Sequence, residues 1–148
     1  MSGGRAIRTR RRHRVGLIGL TAGAGAPAAG VTARVLASGT SDGTVEVRSE
    51  GRTDVVVREI VIPPGGSTGW HYHHGQLIAV VRSGVLTRTL ADRTVETTAA
   101  GQAFVEPAGS RHIHNARNLG TEPVVLCATY VLPAGSPLSV DAPGPHRP

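Results

Sequence analysis

Apolar and polar residues along this chain follow a period of two, and no stretch of ten or more residues carries the 3.6 period of a helix. In "GTVEVRSEG", Val45 and Val47 alternate with Glu46 and Arg48, the pattern of a half-buried strand. "TDVVVREIVI" predicts a strong strand, stopped by "PPGGSTG". Further short strands are predicted at "WHYHH", "QLIAVVR", "VLTRTL", "RTVETTAAG", "QAFVEP", "RHIHNARN" and "VVLCATYVLP", with turns at "SG", "PAGS" and "LGTEP". "GVTARVLASGT" predicts a first extended segment. Many short strands at this spacing predict an all-β sandwich or closed barrel.

Composition narrows this. A chain of 148 residues suits one ordinary domain. Aromatics are only 3%, so the core has to come from Val, Leu, Ile and Ala. Twenty glycines and ten prolines supply the turns of an all-β domain. The net charge of +6 is concentrated at one end, where Arg5, Arg8, Arg10, Arg11, Arg12 and Arg14 lie. From Val35 onward nine arginines stand against ten acidic residues, which argues against a nucleic-acid partner. The lone Cys127 excludes an intramolecular disulfide and reads as a small core residue.

The basic segment runs into "VGLIGLTAGAGAPAAGVTA", the order of an export signal with small residues at cleavage spacing. The apolar part is short and broken by Pro27, so no stable membrane span is expected. Residues 1–30 are read as a leader that sends the protein out of the cytoplasm, where it stays if the leader is uncleaved. Residues 31–135 are read as the β-domain, and 136–148 as a Pro-rich, disordered tail.

Five of the seven histidines fall in two clusters on predicted strands. Residues two apart on a strand share a face, so His71 and His73 point one way and Trp70, Tyr72 and His74 the other. His112 and His114 form a second such pair about forty residues on. Two His-x-His pairs can converge on one divalent metal, and neutral imidazole suits Fe, Mn, Zn, Ni or Cu. Trp70, Tyr72 and Phe104 read as packing residues, Arg82 and Arg88 as exposed hairpin residues. Glu106 reads as an exposed strand-end carboxylate, with general base as its other reading.

These motifs resemble the cupin family. Gly65, five residues, then His71 and His73, and finally Gly84, follow the first cupin motif. Gly101, five residues, then Pro107, Gly109 and His112, follow the second. The resemblance implies a single cupin barrel, a double-stranded β-helix of jelly-roll type, with one metal ion. It also implies a small-molecule ligand and a homodimer paired through sheet edges. Two departures matter. The position of the family's glutamate ligand is Leu77, counting either from His73 or from Gly84. Gln76 is the nearest oxygen donor and would need a bulge to point inward; its other reading is a polar rim residue. The second departure is that Pro-x-Gly spacing selects His112 whereas His-x-x-x-Asn spacing, ending at Asn118, selects His114. The candidate ligands are therefore His71, His73, His114, His112 and Gln76. A three-histidine site would leave a dipositive ion a strong Lewis acid that favours anionic ligands. The function expected is an oxygenase, isomerase or lyase acting on a small anionic organic molecule. A non-catalytic binding or sensing module is the alternative.

Overall fold

The computed structural model describes residues 29–145, and the proposed leader lies almost wholly outside them. Residues 29–33 are exposed and belong to a separate unit. All that follows concerns the unit that begins at Arg34.

The described residues are nearly all-β. Their strands are β1 (Thr53–Ile62), β2 (His71–Tyr72), β3 (Gln76–Ser83), β4 (Val85–Leu90), β5 (Val95–Ala99), β6 (Ala103–Glu106), β7 (His114–Arg117), β8 (Val124–Pro133) and β9 (Val140–Asp141). One 3₁₀ turn, Ser110–His112, precedes β7. The strands form two antiparallel sheets, one ordered β1-β8-β3-β6 and the other β5-β4-β7-β2-β9. They are not closed into a barrel.

Strand alternation places the core between the sheets. On β8, Val124, Leu126, Ala128, Tyr130 and Leu132 point inward and are buried, and Leu77, Ala79 and Val81 of β3 meet them. Leu86, Phe104 and Ala116 close the layer from β4, β6 and β7. The connections between strands turn where their residues allow, β3–β4 and β5–β6 passing from one sheet to the other and β4–β5 forming a hairpin. Gly84 between β3 and β4 and Gly101 between β5 and β6 have positive φ, 76° and 84°. At the β4–β5 turn the left-handed residue is Arg93, and Asp92 braces the turn by accepting a bond from Thr94 N at 2.9 Å.

Three expectations fail here. "GTVEVRSEG" forms no strand, although it alternates. It runs along the surface, where Gln76 accepts from Arg48 N (2.6 Å) and donates to Glu46 O (3.1 Å). The histidine strand shortens to His71–Tyr72. The tail is not disordered across residues 136–144. Within it, β9 pairs Asp141 with His71 and Val140 with Tyr72, and Ala142 N donates to Trp70 O at 2.9 Å. The edge of β2 offers unpaired backbone groups, and the tail satisfies them.

Candidate metal centre

Local structure brings distant residues to one point. The β2–β7 pairing sets His71 directly opposite His114. Immediately after His73 and His74 the chain crosses β8 so closely that a Cβ on Gly75 would lie 2.0 Å from Val131 O. Only glycine permits that crossing, which turns His73 into the interior at 2% exposure. The 3₁₀ turn Ser110–His112 falls between Gly109 and His114 of the second motif. It leaves His112 exposed and delivers His114, also 2% exposed, to the start of β7.

The carboxylate comes from an adjacent strand. Glu106 ends β6 and is the direct cross-strand partner of Leu77, the very position where the motif lacks its glutamate. It is 6% exposed. One ligand atom from each of His71, His73, His114 and Glu106 can be chosen so that all lie within 4.8 Å of one another.

The imidazoles are oriented by their far nitrogens. Nδ1 of His71 lies 2.9 Å from Gly69 O, that of His73 2.6 Å from Leu138 O, and that of His114 2.8 Å from His112 O. A carbonyl only accepts, so each Nδ1 is the protonated, donating nitrogen. In the neutral rings Nε2 then carries the lone pair. His73 Nε2 is 3.1 Å and His114 Nε2 3.0 Å from Glu106 Oε2. The His114 contact is out of hydrogen-bond alignment, so that buried nitrogen has no hydrogen-bond partner among the described residues. Lone pairs face lone pairs, an arrangement stable only with a proton or a metal cation among them. The donor set fits a divalent transition ion.

Charge is balanced around this point. Arg88 is 5% exposed and lies 3.7 Å above the Phe104 ring. Its guanidinium is 2.7 Å from Glu96 and 3.5 Å from Glu106. Burial opposes the charge on Glu106 more than any other influence. The close approach of His114 and His73, with the charges of His114 and Arg88, overcomes it and holds the carboxyl well below the usual range. For His114, burial lowers the pKa, but Glu106 more than offsets this and raises it. For His71, burial dominates and lowers it.

Of the five residues expected from sequence, the structure brings together His71, His73 and His114. His112 and Gln76 are elsewhere: His112 contributes only its carbonyl, and the Gln76 amide is spent on the backbone of residues 46 and 48. No bulge turns Gln76 inward, because it keeps its regular partner Val131 on β8. Glu106 and Arg88, expected to be exposed, are buried. The signal that finds them is parity. Glu106 shares a strand face with Phe104, and Arg88 shares one with Leu86.

A cavity of about 250 Å³ opens beside the histidines between the two sheets. Its walls include Ile60, Leu77, Ala79 and Leu126, and its polar lining includes His71, His73, Glu106, Arg58 and Tyr130. The Tyr130 ring stands edge-on to His73, centroids 5.6 Å apart.

Residues 58–131 match the family model described as a cupin domain, half of the chain. The chain belongs to the cupin family. Among solved structures, this cupin is similar to an uncharacterized conserved protein with a double-stranded β-helix domain from Klebsiella pneumoniae. The two share 28% identity, over 64% of this chain and 75% of that one, with a TM-score of 0.52. The polyketide cyclase RemF from Streptomyces resistomycificus shares the fold at 21% identity and TM-score 0.51, over 60% of each chain. So does the DMSP lyase DddQ from Ruegeria pomeroyi, at 16% identity and TM-score 0.52, over 60% of this chain and 43% of that one. No curated protein sequence matches the chain. No helix among the described residues is long and apolar enough to cross a membrane.

Proposed function

We propose that this cupin is a small metal-dependent enzyme, an oxygenase, isomerase or lyase acting on a small anionic organic molecule. The observation that carries the reading is the triple Nδ1 anchoring, which leaves Nε2 of His73 and His114 against the buried Glu106 carboxylate and His71 within the same cluster. The proposed ligands are His71, His73, His114 and Glu106. This set replaces the expected neutral site, so a dipositive ion keeps a net charge of about +1 here. Fe, Mn, Zn and Ni all suit such donors.

A bound ion would supply Lewis-acid activation of a substrate oxygen, or a redox centre if it is iron or manganese. The chain's own groups do the rest. Arg88 and the two histidines keep Glu106 ionised. Leu77, Leu86 and Leu126 exclude water from one side of the site, which strengthens every charge interaction within it. The adjoining cavity is what favours an enzyme over a closed structural metal site.

Metal analysis of untagged protein tests the reading. One equivalent per chain is expected, falling below a tenth in His73→Ala. A screen of small organic acids with Fe(II), Mn(II), Zn(II) and Ni(II) then separates enzyme from binding module. Binding without turnover under every metal would favour the module. The leader reading adds export as a further proposal, supported by the basic-then-apolar order of residues 1–30. N-terminal sequencing of the protein from its native host tests it. A homodimer is proposed likewise, with the exposed Val55, Val57 and Val61 on β1 in its favour.

A further inference from the structure

A second charged group, Arg58, lines the cavity beside the candidate metal centre and is itself exposed, at the cavity's margin. It sits on β1, at the edge of its sheet. Alternation gives it the inward parity of Val56, Ile60 and Ile62, all of which pack on the core. Its neighbour Glu59 has the opposite parity and pairs with Arg82. None of the ion pairs among the described residues includes Arg58. Its guanidinium instead lies 5.8 Å from the centre of the Tyr130 ring. Tyr130 is opposite Val56 across the β1–β8 ladder, diagonal to Arg58.

The cavity lining thus carries two sets of charged groups, both beside Tyr130. One is the histidines and Glu106, whose charge is already met by Arg88. The other is a guanidinium without a carboxylate partner among the described ion pairs, placed toward the tyrosine ring. Much of the remaining wall is hydrocarbon: Ile60, Leu77, Ala79, Leu126 and Ala128. Leu77 contributes to that wall because the carboxylate stands on the neighbouring strand. A guanidinium is built to receive a planar carboxylate through two parallel hydrogen bonds. The space of 250 Å³ holds about eight water-sized groups at ~30 Å³ each, the scale of a short organic acid.

We propose that Arg58, supported by Tyr130, is the carboxylate-recognition subsite of this cavity, and that the ligand is a short monocarboxylate with an apolar body. This rests on reading the site as a small-molecule site. It does not require that the metal reading hold.

The test uses hexanoate and its uncharged counterpart hexanamide, titrated calorimetrically into the full chain with metal removed and again with Zn(II) added. In the metal-free wild type, hexanoate should bind about tenfold tighter than hexanamide or better. Arg58→Gln should erase the preference, and Arg58→Lys should retain part of it. If neither compound binds, or both bind equally, the proposal fails. It also fails if Arg58→Gln keeps the preference, or if the preference appears only with Zn(II), because the metal would then be the reader. A chain that takes up no metal but shows the Arg58-dependent preference overturns the metal reading and supports the subsite.

Discussion

Glu106 carries a negative charge where burial alone would discharge it. Its neighbours decide otherwise, and the consequence can be followed with pH. In the metal-free protein the depressed Glu106 contributes stability that is present above its ordinary value of 4.5 and lost as pH falls below it. The lowered His71 contributes stability present above 6.5 and lost as pH falls through its depressed value. The raised His114 does the reverse: its contribution is full below 6.5 and lost as pH rises through its elevated value. The melting temperature of chelated protein should therefore peak near pH 6.5 and decline on both sides. A melting temperature that climbs steadily to pH 8 would contradict this assignment of charges. Metal uptake should strengthen with rising pH, because His114 must give up a proton to offer Nε2. The histidines were legible in the sequence because their spacing is local. Glu106 was not, because its relation to Leu77 exists only across a ladder between strands about thirty residues apart.

At the scale of elements, that ladder makes a direct experiment possible. Leu77 and Glu106 are opposite partners on β3 and β6, both facing inward, so their Cβ atoms are about 5 Å apart. Glu106→Leu alone should abolish metal uptake and leave Arg88 short of one buried partner, at a cost of about 3 kcal/mol or more. Adding Leu77→Glu returns a carboxylate to the position that the family motif specifies. The double variant should recover close to one metal per chain. Failure to recover any would mean that the site depends on the contact between Glu106 and Arg88 rather than on a carboxylate near the histidines. The strands themselves were readable from period-two alternation wherever one face is buried. The alternating "GTVEVRSEG" misled because no neighbouring strand is there to pair with it. The tail misled in the opposite sense. Its composition suggests disorder, yet the unpaired edge of β2 recruits β9, and Leu138 O anchors His73.

Across the described unit as a whole, two antiparallel sheets pack an aliphatic core and leave a cavity of about 250 Å³ between them. His71, His73 and Glu106 of the candidate metal centre and Arg58 all line that cavity, so the same architecture supports both proposals. The alternation along the strands leaves a sandwich and a closed barrel both open, because closure depends on how far each sheet extends and not on where strands begin. A metal bound only to the folded chain adds stability as RT ln(1 + [M]/Kd), roughly 4 kcal/mol at a thousandfold excess over Kd. The central claim is that three histidines and a carboxylate borrowed from the next strand hold one ion. Anomalous diffraction from a metal-loaded crystal tests it most directly. The account predicts a single strong peak about 2.0–2.2 Å from Nε2 of His71, His73 and His114 and from a carboxylate oxygen of Glu106. No peak at that point, or a peak whose ligands omit Glu106 or include Gln76 or His112, would contradict it.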